Sequence, residues 1–403
     1  MKETYDIAVI GAGIVGVSIG IELLIANPKL RVILLEKELD LGFHASGRNS
    51  GVLHAGFYYS GESLKAKYCI EGNQLLRNLV SKHGLPILKS GKVVIAKNEE
   101  ERARLKSLYE RGIANGVDVE LLPSSELHKY EPLARSEFEF LWSPNTAVVN
   151  QQSVLSALKR DFEKLGGYSK MSTPVNLFEK NERVVFRDLD LSARFIINSA
   201  GSYALSLANQ VSTGLNFGLI PVRGAYRATL QKYLPLRTLV YPVPHPINPF
   251  LGVHFTPNTL GQIKIGPTAL PVLGNEQYSF SEWPNFSELI KNLANLVRYG
   301  IRNPHESKEI VLSEFEYLKI DSLLEEGRQL VPSVPNSSHW KTLAPGIRAQ
   351  LIDKSSGKFV SDFLVEKRHN SLHLLNIVSP GFTSALPLAK SAAKQAIDMM
   401  KSN

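Results

Sequence analysis

The sequence predicts an α/β protein whose parallel sheet is interrupted by an inserted α+β region built on an antiparallel sheet. Three observations predict this fold. An apolar run from Tyr5 to Ile10 leads into regularly spaced glycines and then into helical spacing as far as Ala26. Apolar runs that end in a turn and a helix return at 193–204 and from Leu372 onward. Between them, residues 219–270 read as short strands separated by prolines, which is typical of antiparallel sheet.

The glycines Gly11, Gly13 and Gly16 form a G-x-G-x-x-G pattern between a strand and a helix. The first glycine permits a tight turn, the second lets the backbone approach a pyrophosphate, and the third lets helix and strand pack closely. The helix N-terminus then presents N–H groups and a positive dipole end to phosphates. A second strand ends at Glu36, where a carboxylate can accept hydrogen bonds from a ribose. This context predicts a Rossmann-like dinucleotide site rather than a βαβ unit without a ligand.

The length of 403 residues exceeds the size at which one hydrophobic core stops growing, so two packed units are expected. We predict a discontinuous nucleotide-binding domain and a substrate-binding domain inserted into it. The nucleotide-binding domain is formed by residues 1–84, 143–217 and 340–403, and the substrate-binding domain by residues 85–142 and 218–339.

Composition excludes several classes of function. Lys and Arg number 46 and Asp and Glu 38, a net charge of +8, but no dense basic run is present, so nucleic acid is not an expected partner. The diffuse charge is compatible with acidic substrates or weak contact with an anionic membrane, and solubility explains it equally well. The single cysteine, Cys69, excludes an internal disulfide and a cysteine-based metal cage, so no metal is predicted and a cytoplasmic location is expected.

No long apolar span is evident in the sequence, so any contact with the inner face of a membrane would be peripheral. The apolar stretch at 7–26 carries Glu22 and glycines at fixed spacing, which favours folded structure over a signal peptide. No clear amphipathic anchor can be identified from the sequence. A homo-oligomer is allowed by the general frequency of dimers, and nothing more specific can be predicted.

Several longer motifs add to this pattern. They are "GAGIVG", the loop "HASGRNSGVLHAGFYY", "SLKAKYC" at Ser63, "PVRGAY" at Pro221, "YPVP" at Tyr241, "PFLGVHFT" at Pro249, "PGIRAQ" at Pro345 and "SDFLV" at Ser361. With these motifs the chain resembles, nearly end to end, the L-2-hydroxyglutarate dehydrogenase family of the D-amino-acid-oxidase-like flavoproteins. The resemblance implies FAD-dependent oxidation of L-2-hydroxyglutarate to 2-oxoglutarate, with electrons passing to a quinone or to oxygen. Arg48 departs from the family, in which a histidine is usual, and that difference concerns the substrate rather than the reaction class.

The resemblance also implies which residues hold FAD. They lie in the glycine turn, after the second strand, in the loop from 44 to 52, at the two other strand ends and in the C-terminal turn: Gly11, Ala12, Gly13, Ile14, Val15, Gly16, Glu36, Lys37, His44, Ser46, Asn49, Ser50, Gly51, Val52, Val175, Ala200, Gly201, Arg348, Pro380, Gly381, Phe382, Thr383 and Ser384. Thr383 or Ser384 could also cap the C-terminal helix. "HASG" resembles the H-A-A-G of relatives with a flavin-linked histidine, so His44 is either covalently attached or, as we favour, a loop residue near the pyrophosphate.

Oxidation of a secondary alcohol needs a base for the hydroxyl proton, and an imidazole with a pKa near ~6.5 suits that task at neutral pH. The candidates are His54, in the loop that this class of flavoprotein runs beside the flavin, and His254, on a strand of the substrate region. Either histidine could be the base. A purely structural, hydrogen-bonded role is the alternative for each.

A dicarboxylate substrate brings two negative charges that need cationic partners when they are buried. We expect Arg348 first, then Arg223 and Lys65, to bind it, with a surface ion pair as the alternative role for each. Tyr58, Tyr59 and Tyr241 are expected to line the pocket, and a core position is the alternative. Competing functions are an amine or amino-acid oxidase of the glycine or sarcosine type, an oxidase of another 2-hydroxy acid, and a non-catalytic flavin-binding scaffold.

Overall fold

The computed structural model describes residues 3–245 and 252–402, so the first three residues of the motif at Pro249 lie outside the described residues. The strands are β1 (Glu3–Ile10), β2 (Val32–Leu35), β3 (Val52–Leu53), β4 (Ile87–Leu88), β5 (Lys92–Ile95), β6 (Glu120–Leu122), β7 (Phe140–Ser143), β8 (Ala147–Val149), β9 (Tyr168–Lys170), β10 (Asn176–Lys180), β11 (Arg183–Arg187), β12 (Leu191–Asn198), β13 (Phe217–Gly224), β14 (Arg227–Leu230), β15 (Leu239–Pro242), β16 (His254–Pro257), β17 (Gln262–Gly266), β18 (Leu270–Pro271), β19 (Lys341–Thr342), β20 (Gly346–Asp353), β21 (Val365–Arg368) and β22 (Ser371–Leu374). The α-helices are α1 (Ile14–Ala26), α2 (Leu64–Lys82), α3 (Glu99–Ala114), α4 (Leu127–Tyr130), α5 (Gln151–Lys164), α6 (Ala204–Asn209), α7 (Phe286–Arg302), α8 (Pro304–Glu316), α9 (Ile320–Arg328) and α10 (Ala385–Ser402).

The sheet that carries the glycine-rich turn has six strands in the order β21-β22-β12-β1-β2-β9. Strand β1 pairs in parallel with β12 and β2, so Ile7 lies opposite both Phe195 and Val32. Strand β22 continues the parallel arrangement beside β12, and β21 closes that edge in the antiparallel direction. The sheet is therefore assembled from widely separated chain segments, which confirms the predicted interruption of the nucleotide fold.

Helices α1 and α10 pack against each other, and α1 also packs against α5. Their apolar side chains share one core with the sheet, including Val17 and Leu388 from the helices and Val9 and Phe195 from the strands. Removing this apolar area from water holds the layers together and fixes the strand ends that carry the glycine turn.

The inserted region is built on an eight-stranded sheet in the order β19-β14-β17-β16-β15-β5-β7-β6. Neighbouring strands run antiparallel as predicted, except that β15 and β5 are parallel. A smaller sheet, β18-β13-β20, joins β13 to β20 along their length. The predicted segment 340–403 thus contributes strands to three sheets, because β19 and β20 pair with strands of the inserted region while β21 and β22 complete the six-stranded sheet.

Helix α7 forms where the apolar spacing predicts a helix, and the side chain of Asn285 caps it by accepting a hydrogen bond from the N–H of Glu288. Its buried face combines Asn292 and Asn295 with Tyr299, which packs in a hydrophobic cluster with Ile220 and Val222. Asn292 donates to the carbonyl of Leu273 at 2.8 Å, and Asn295 donates to the carbonyl of Leu219 at 3.2 Å. Amide hydrogen bonds and the packing of Tyr299 thus attach the helix to the protein, and an apolar stripe on its other side faces outward.

The predicted side-chain cap of the C-terminal helix is wrong at both positions. The Thr383 hydroxyl instead donates to the carbonyl of Val52 at 3.1 Å and accepts from the N–H of His54 at 3.2 Å. The Ser384 hydroxyl is buried and has no hydrogen-bond partner among the described residues. Thr383 is therefore used to hold the loop around His54 against the start of α10. Across residues 3–245 and 252–402, no helix is both long and apolar enough to cross a membrane.

Candidate functional site

A cavity of about 510 Å³ lies at the carboxyl ends of the parallel strands. It begins at Gly11 after β1, at Glu36 after β2, at Ser199 after β12 and at Leu375 after β22. Ligands of open α/β sheets bind at this edge, and the volume is that of a small-molecule cleft. We call it the cleft below.

The glycine turn has the geometry that a pyrophosphate site requires. Gly11 adopts a positive φ of 94°, and a Cβ at Gly16 would lie only 1.9 Å from the carbonyl oxygen of Gly11. Ser46 accepts a hydrogen bond from the N–H of Ile14 at 3.0 Å, so the loop after β2 is fixed against the start of α1. No side chain larger than hydrogen could occupy these glycine positions without moving the turn.

Glu36 stands at the end of β2 as predicted. Its carboxylate accepts hydrogen bonds from the N–H of Ala12 at 2.8 Å and from the N–H of Glu38 at 3.0 Å. A carboxylate offers about four acceptor sites, so two remain for ribose hydroxyls. The free acceptor sites of Glu36 and the glycine turn therefore fit an adenine dinucleotide.

Most residues predicted to hold the cofactor line the cleft. Four do not: Ala12 and Ser384 are fully buried, Gly16 packs on Gly11, and a Cβ at Gly51 would lie 2.3 Å from the carbonyl oxygen of Val149. The cleft also includes residues that were not expected, among them Tyr203, Tyr226, Asn275 and Tyr278. Tyrosine and asparagine are common on protein surfaces and in cores, so nothing in the sequence distinguishes these four.

His44 belongs to a charged cluster at the Glu36 end of the cleft. One ring nitrogen lies 2.9 Å from the Glu38 carboxylate and the other 2.6 Å from the Tyr278 hydroxyl. Lys37 pairs with both Glu38 and Glu276, and its hydrogen bond is the main cause that lowers the pKa of Glu38. Both nitrogens of His44 are thus engaged within the cluster, an arrangement that favours the loop-histidine interpretation over covalent attachment.

His54 and His254 are both buried, and they lie within electrostatic reach of each other. His54 lines the cleft, and its Nδ1 has no hydrogen-bond partner among the described residues. His254 donates from Nδ1 to the carbonyl of Gly252 at 2.7 Å, and its ring stacks on Tyr241 with centroids 3.8 Å apart. Because a carbonyl only accepts, Nδ1 of His254 carries the proton and Nε2 keeps its lone pair.

Burial, together with the positive charges of Lys92 and Arg348, lowers the pKa of both imidazoles to about 3. Both rings are therefore neutral at neutral pH and can accept a proton. Of the three predicted pocket tyrosines, Tyr241 stacks on His254. Tyr58, Tyr59 and Tyr241 all have pKa values raised by burial, so their hydroxyls stay protonated.

The structure separates the three predicted cations. Val222 pairs with Arg348 and Arg223 pairs with Ile347, and successive strand residues face opposite sides, so the two arginines project from opposite faces of their sheet. Arg348 lines the cleft on the histidine side. Arg223 lies over the ring of Phe280, with 3.8 Å from its guanidinium carbon to the ring centroid.

The third predicted cation, Lys65, lies at the start of α2, away from the residues that line the cleft. Burial lowers its pKa to about 8, and the charge of Asp362 opposes that shift. Arg48, where the family usually has a histidine, donates to the carbonyls of Phe43 and Pro345 and thereby connects its loop to the start of β20. Arg48 therefore supports the strand that carries Arg348.

Two lysines of the eight-stranded sheet, Lys92 buried and Lys264 half-buried, were not anticipated. Lys92 begins β5 with no solvent exposure, and burial lowers its pKa to about 7. Lys264 lies on β17 with its Nζ 3.5 Å from the carbonyl oxygen of Ser50, and burial lowers its pKa to about 8. A lysine within an apolar strand is the signal that could have identified both, although a strand end at the surface gives the same pattern.

A cleft at the carboxyl edge of a doubly wound sheet, with a glycine-rich turn on one side and buried neutral histidines on the other, defines a dinucleotide-dependent oxidoreductase. The profile of the family described as "FAD dependent oxidoreductase" matches residues 6–395. The chain belongs to this family and, within it, to the L-2-hydroxyglutarate dehydrogenases, and FAD is its cofactor.

Relatives with that name are similar over almost the whole chain. The mitochondrial L-2-hydroxyglutarate dehydrogenase of Caenorhabditis elegans is 35% identical, covering 98% of this chain and 94% of the relative. The enzyme of Indibacter alkaliphilus is 33% identical, covering 98% of this chain and 99% of the relative. The enzyme of Escherichia coli K12 is 32% identical, covering 95% of this chain and 91% of the relative.

Solved structures agree on the fold. L-α-glycerophosphate oxidase from Mycoplasma pneumoniae, with FAD bound, superposes with a TM-score of 0.76 at 26% identity, covering 99% of this chain and 95% of that one. Glycine oxidase from Geobacillus kaustophilus superposes with a TM-score of 0.73 at 20% identity, covering 100% and 95%, and that likeness concerns the fold alone.

Proposed function

We propose that this protein oxidises L-2-hydroxyglutarate to 2-oxoglutarate. The proposal is supported by the relatives that carry this activity in their names and by one observation in the cleft, the position of Arg348 beside two buried neutral histidines. Bound FAD supplies the acceptor for the hydride from C2. An amine oxidase of the glycine type binds a substrate with one carboxylate and needs only one cation. A comparison of the dicarboxylate with glycine and sarcosine therefore separates the two functions.

Arg348 pairs with the carboxylate beside the reacting carbon, because a guanidinium offers parallel donors that match a carboxylate. This contact orients the hydroxyl group toward the histidines. The buried ring of Tyr241 and the half-buried ring of Tyr226 both contact His254, and they restrict the access of water to it. A negatively charged substrate also offsets the charges that keep the histidine pKa values low, which makes the imidazole a stronger base.

His54 is the better candidate for the base. It lines the cleft, whereas His254 lies behind it, stacked on Tyr241 and held by the carbonyl of Gly252. The base must reach the proton that it removes, so exposure to the cleft favours His54. We assign His254 a positioning role, in which it holds Tyr241 and the neighbouring side chains.

The test is anaerobic addition of substrate to the FAD-loaded protein while flavin absorbance is followed. L-2-hydroxyglutarate should bleach the flavin, and D-2-hydroxyglutarate serves as the stereochemical control. Bleaching by glycine or sarcosine alone would support the amine oxidase, bleaching by other 2-hydroxy acids alone would redefine the substrate, and no bleaching with any of them would support the scaffold.

We also propose that the electrons pass to a membrane quinone and that α7 contacts the membrane. An apolar stripe along α7, here called the α7 face, consists of Phe286, Ile290, Leu293, Val297 and Ile301, all exposed. Helical spacing places these residues on one side. The opposite, buried side carries Asn292 and Asn295 beside Tyr299, so it is more polar than the buried side of a usual surface helix, while the exposed stripe is apolar. Trp283, 81% exposed, extends the apolar surface.

Charge also favours a membrane over a protein partner for the α7 face. Lys291 and Arg302 are exposed on the same helix, where they can meet anionic lipid headgroups. The double variant Phe286→Ser and Ile301→Ser should abolish flotation with vesicles of phosphatidylglycerol and phosphatidylethanolamine but keep flavin reduction. Leu260→Ser, an exposed leucine in a distant turn, is the matched control.

A face that instead covers a second copy would appear as a dimer that the double variant converts to a monomer without any effect on flotation. Quinone reduction should exceed hydrogen peroxide formation when vesicles contain quinone. Peroxide formation at an equal or higher rate would identify oxygen as the acceptor.

A further inference from the structure

Lys92 is a buried cation inside a cage of aromatic rings. Its Nζ lies 4.4 Å from the ring centroid of Tyr58, 4.6 Å from that of Phe57 and 4.8 Å from that of Tyr241. Among the described residues, no group accepts a hydrogen bond from this nitrogen and no carboxylate pairs with it. Ring faces attract a cation but do not replace its hydrogen bonds, so the ammonium lacks the partner that a buried charge requires.

Two further buried polar atoms near Lys92 also lack a hydrogen-bond partner among the described residues. Nδ1 of His54 and the hydroxyl of Tyr58 are buried, and neither has a hydrogen-bond partner in the described part of the chain. The ring of Tyr58 is itself one wall of the cage, and the charge of Lys92 acts on His54. Buried polar atoms without partners are rare in folded proteins, and a group of three indicates a ligand that completes them.

The chemistry of these three atoms indicates which ligand group would bind them. An ammonium and a phenol both donate hydrogen bonds, and an imidazole nitrogen can do so as well. The ligand group must therefore accept hydrogen bonds and carry negative charge. A carboxylate meets both requirements.

The location relative to Arg348 identifies which carboxylate. The charges of Lys92 and Arg348 both act on His54 and on His254, so the two histidines are within reach of both cations. Arg348 lines the cleft and is assigned to the carboxylate beside the reacting carbon. Lys92 is fully buried and does not line the cleft, so the cation left for the second carboxylate lies on the protein side of the histidines.

We propose that Lys92, within the cage of Phe57, Tyr58 and Tyr241, binds the distal carboxylate of the substrate and thereby selects dicarboxylates over monocarboxylates of equal length. This inference rests on the proposed function, which it deepens. Lys92 is fully enclosed, so the cage opens when the ligand enters. Nδ1 of His54 and the hydroxyl of Tyr58 hold no hydrogen bond that would resist such a movement.

The test compares glutarate with pentanoate, which has the same carbon chain but one carboxylate, by calorimetric titration of the FAD-loaded protein. The wild-type protein should bind glutarate at least about 100-fold more tightly, because a lost buried charge pair weakens binding by roughly this factor or more. Lys92→Met keeps the volume of the side chain and removes the charge, and it should reduce the preference to about fivefold or less. Lys89→Met, an exposed lysine that precedes the same strand, should behave as wild type.

The outcome that overturns the proposal is an unchanged preference in Lys92→Met or no preference in the wild-type protein. If Lys92→Met fails to fold with FAD, Tyr58→Phe decides: it should weaken glutarate binding severalfold and leave pentanoate binding unchanged, and equal effects on both would count against the cage. Failure of the proposed function has a different result. L-2-hydroxyglutarate would then not bleach the flavin, while glutarate would still bind in a manner that depends on Lys92.

Discussion

His254 stacks on Tyr241 with 3.8 Å between ring centroids, and Tyr241 in turn forms one wall of the cage around Lys92. The same two residues are adjacent because β15 and β16 are neighbours in the eight-stranded sheet. A single stack of rings therefore connects the histidine region to a buried cation. A substitution of one of these side chains is expected to affect the others. Each variant therefore needs a matched control substitution outside the stack.

The first prediction separates the two histidines. His54→Ala and His254→Ala should both fold with FAD bound, and at least one should lose most of its rate of flavin reduction. We expect His54→Ala to lose roughly 10²–10⁴-fold, the range for removal of a general base, and His254→Ala to lose less. Rapid-mixing absorbance measurements check this. Normal reduction in both variants would mean that the base is neither histidine.

The second prediction uses the two faces of the β13–β20 pair. Arg348→Met should raise the apparent dissociation constant for L-2-hydroxyglutarate in flavin reduction, since removal of one partner of a buried charge pair costs about 2–5 kcal/mol, or roughly 30-fold and more. Arg223→Met is the matched control from the opposite face and should change the constant little. Equal losses in both variants would show that Arg223 also reaches the substrate.

The sequence located the nucleotide side well because its signals are local. Gly11, Gly16 and Glu36 each have a fixed place in a strand-turn-helix unit, and the structure places all three there. The positions of Arg223 and Arg348 could not be predicted from local sequence signals. Both lie in family motifs, and only the register of β13 against β20 decides that Arg348 faces the histidines and Arg223 does not.

Long-range packing explains what the sequence did not reveal. In the sequence, Lys92 has the pattern of an ordinary residue at a strand end. Its aromatic cage forms only in the folded protein, because Tyr58 and Tyr241, which are far apart in sequence, both lie against it. The spacing of α7 predicts a helix but not its orientation. The carbonyls of Leu219 and Leu273 bind the asparagine side of the helix, Tyr299 packs on the same side, and the α7 face is left exposed.

The third prediction concerns stability in acid. Burial lowers the pKa of His54 and His254 to about 3 and that of His373 to about 4, whereas an unfolded histidine has a pKa near ~6.5. Below pH ~6.5 the unfolded chain binds more protons than the folded one, so the free energy of unfolding falls as the pH falls. Each of these histidines contributes a slope of up to about 1.4 kcal/mol per pH unit.

Urea denaturation between pH 7 and pH 4.5 measures that slope. His254→Asn removes one titrating group and should make the dependence less steep, while His305→Asn, an exposed histidine, should not change it. An unchanged slope in His254→Asn would mean that its ring is already protonated, or solvated, in the folded protein.

The last prediction is the pH dependence of dicarboxylate binding. Burial lowers the pKa of Lys92 to about 7, so without ligand the amine loses its proton as the pH rises above that value. Glutarate needs the ammonium form, and its affinity should therefore fall by up to about tenfold per pH unit from pH 7 to pH 9. The neighbouring groups with shifted pKa values do not titrate in this interval. Burial holds the pKa of Cys69 at about 12, those of Tyr58 and Tyr241 above the interval, and those of His54 and His254 at about 3. Lys92→Met should abolish the dependence, and Lys89→Met should retain it. Retention of the full dependence in Lys92→Met would assign the titration to another group, with Lys264 next to be tested because burial lowers its pKa to about 8.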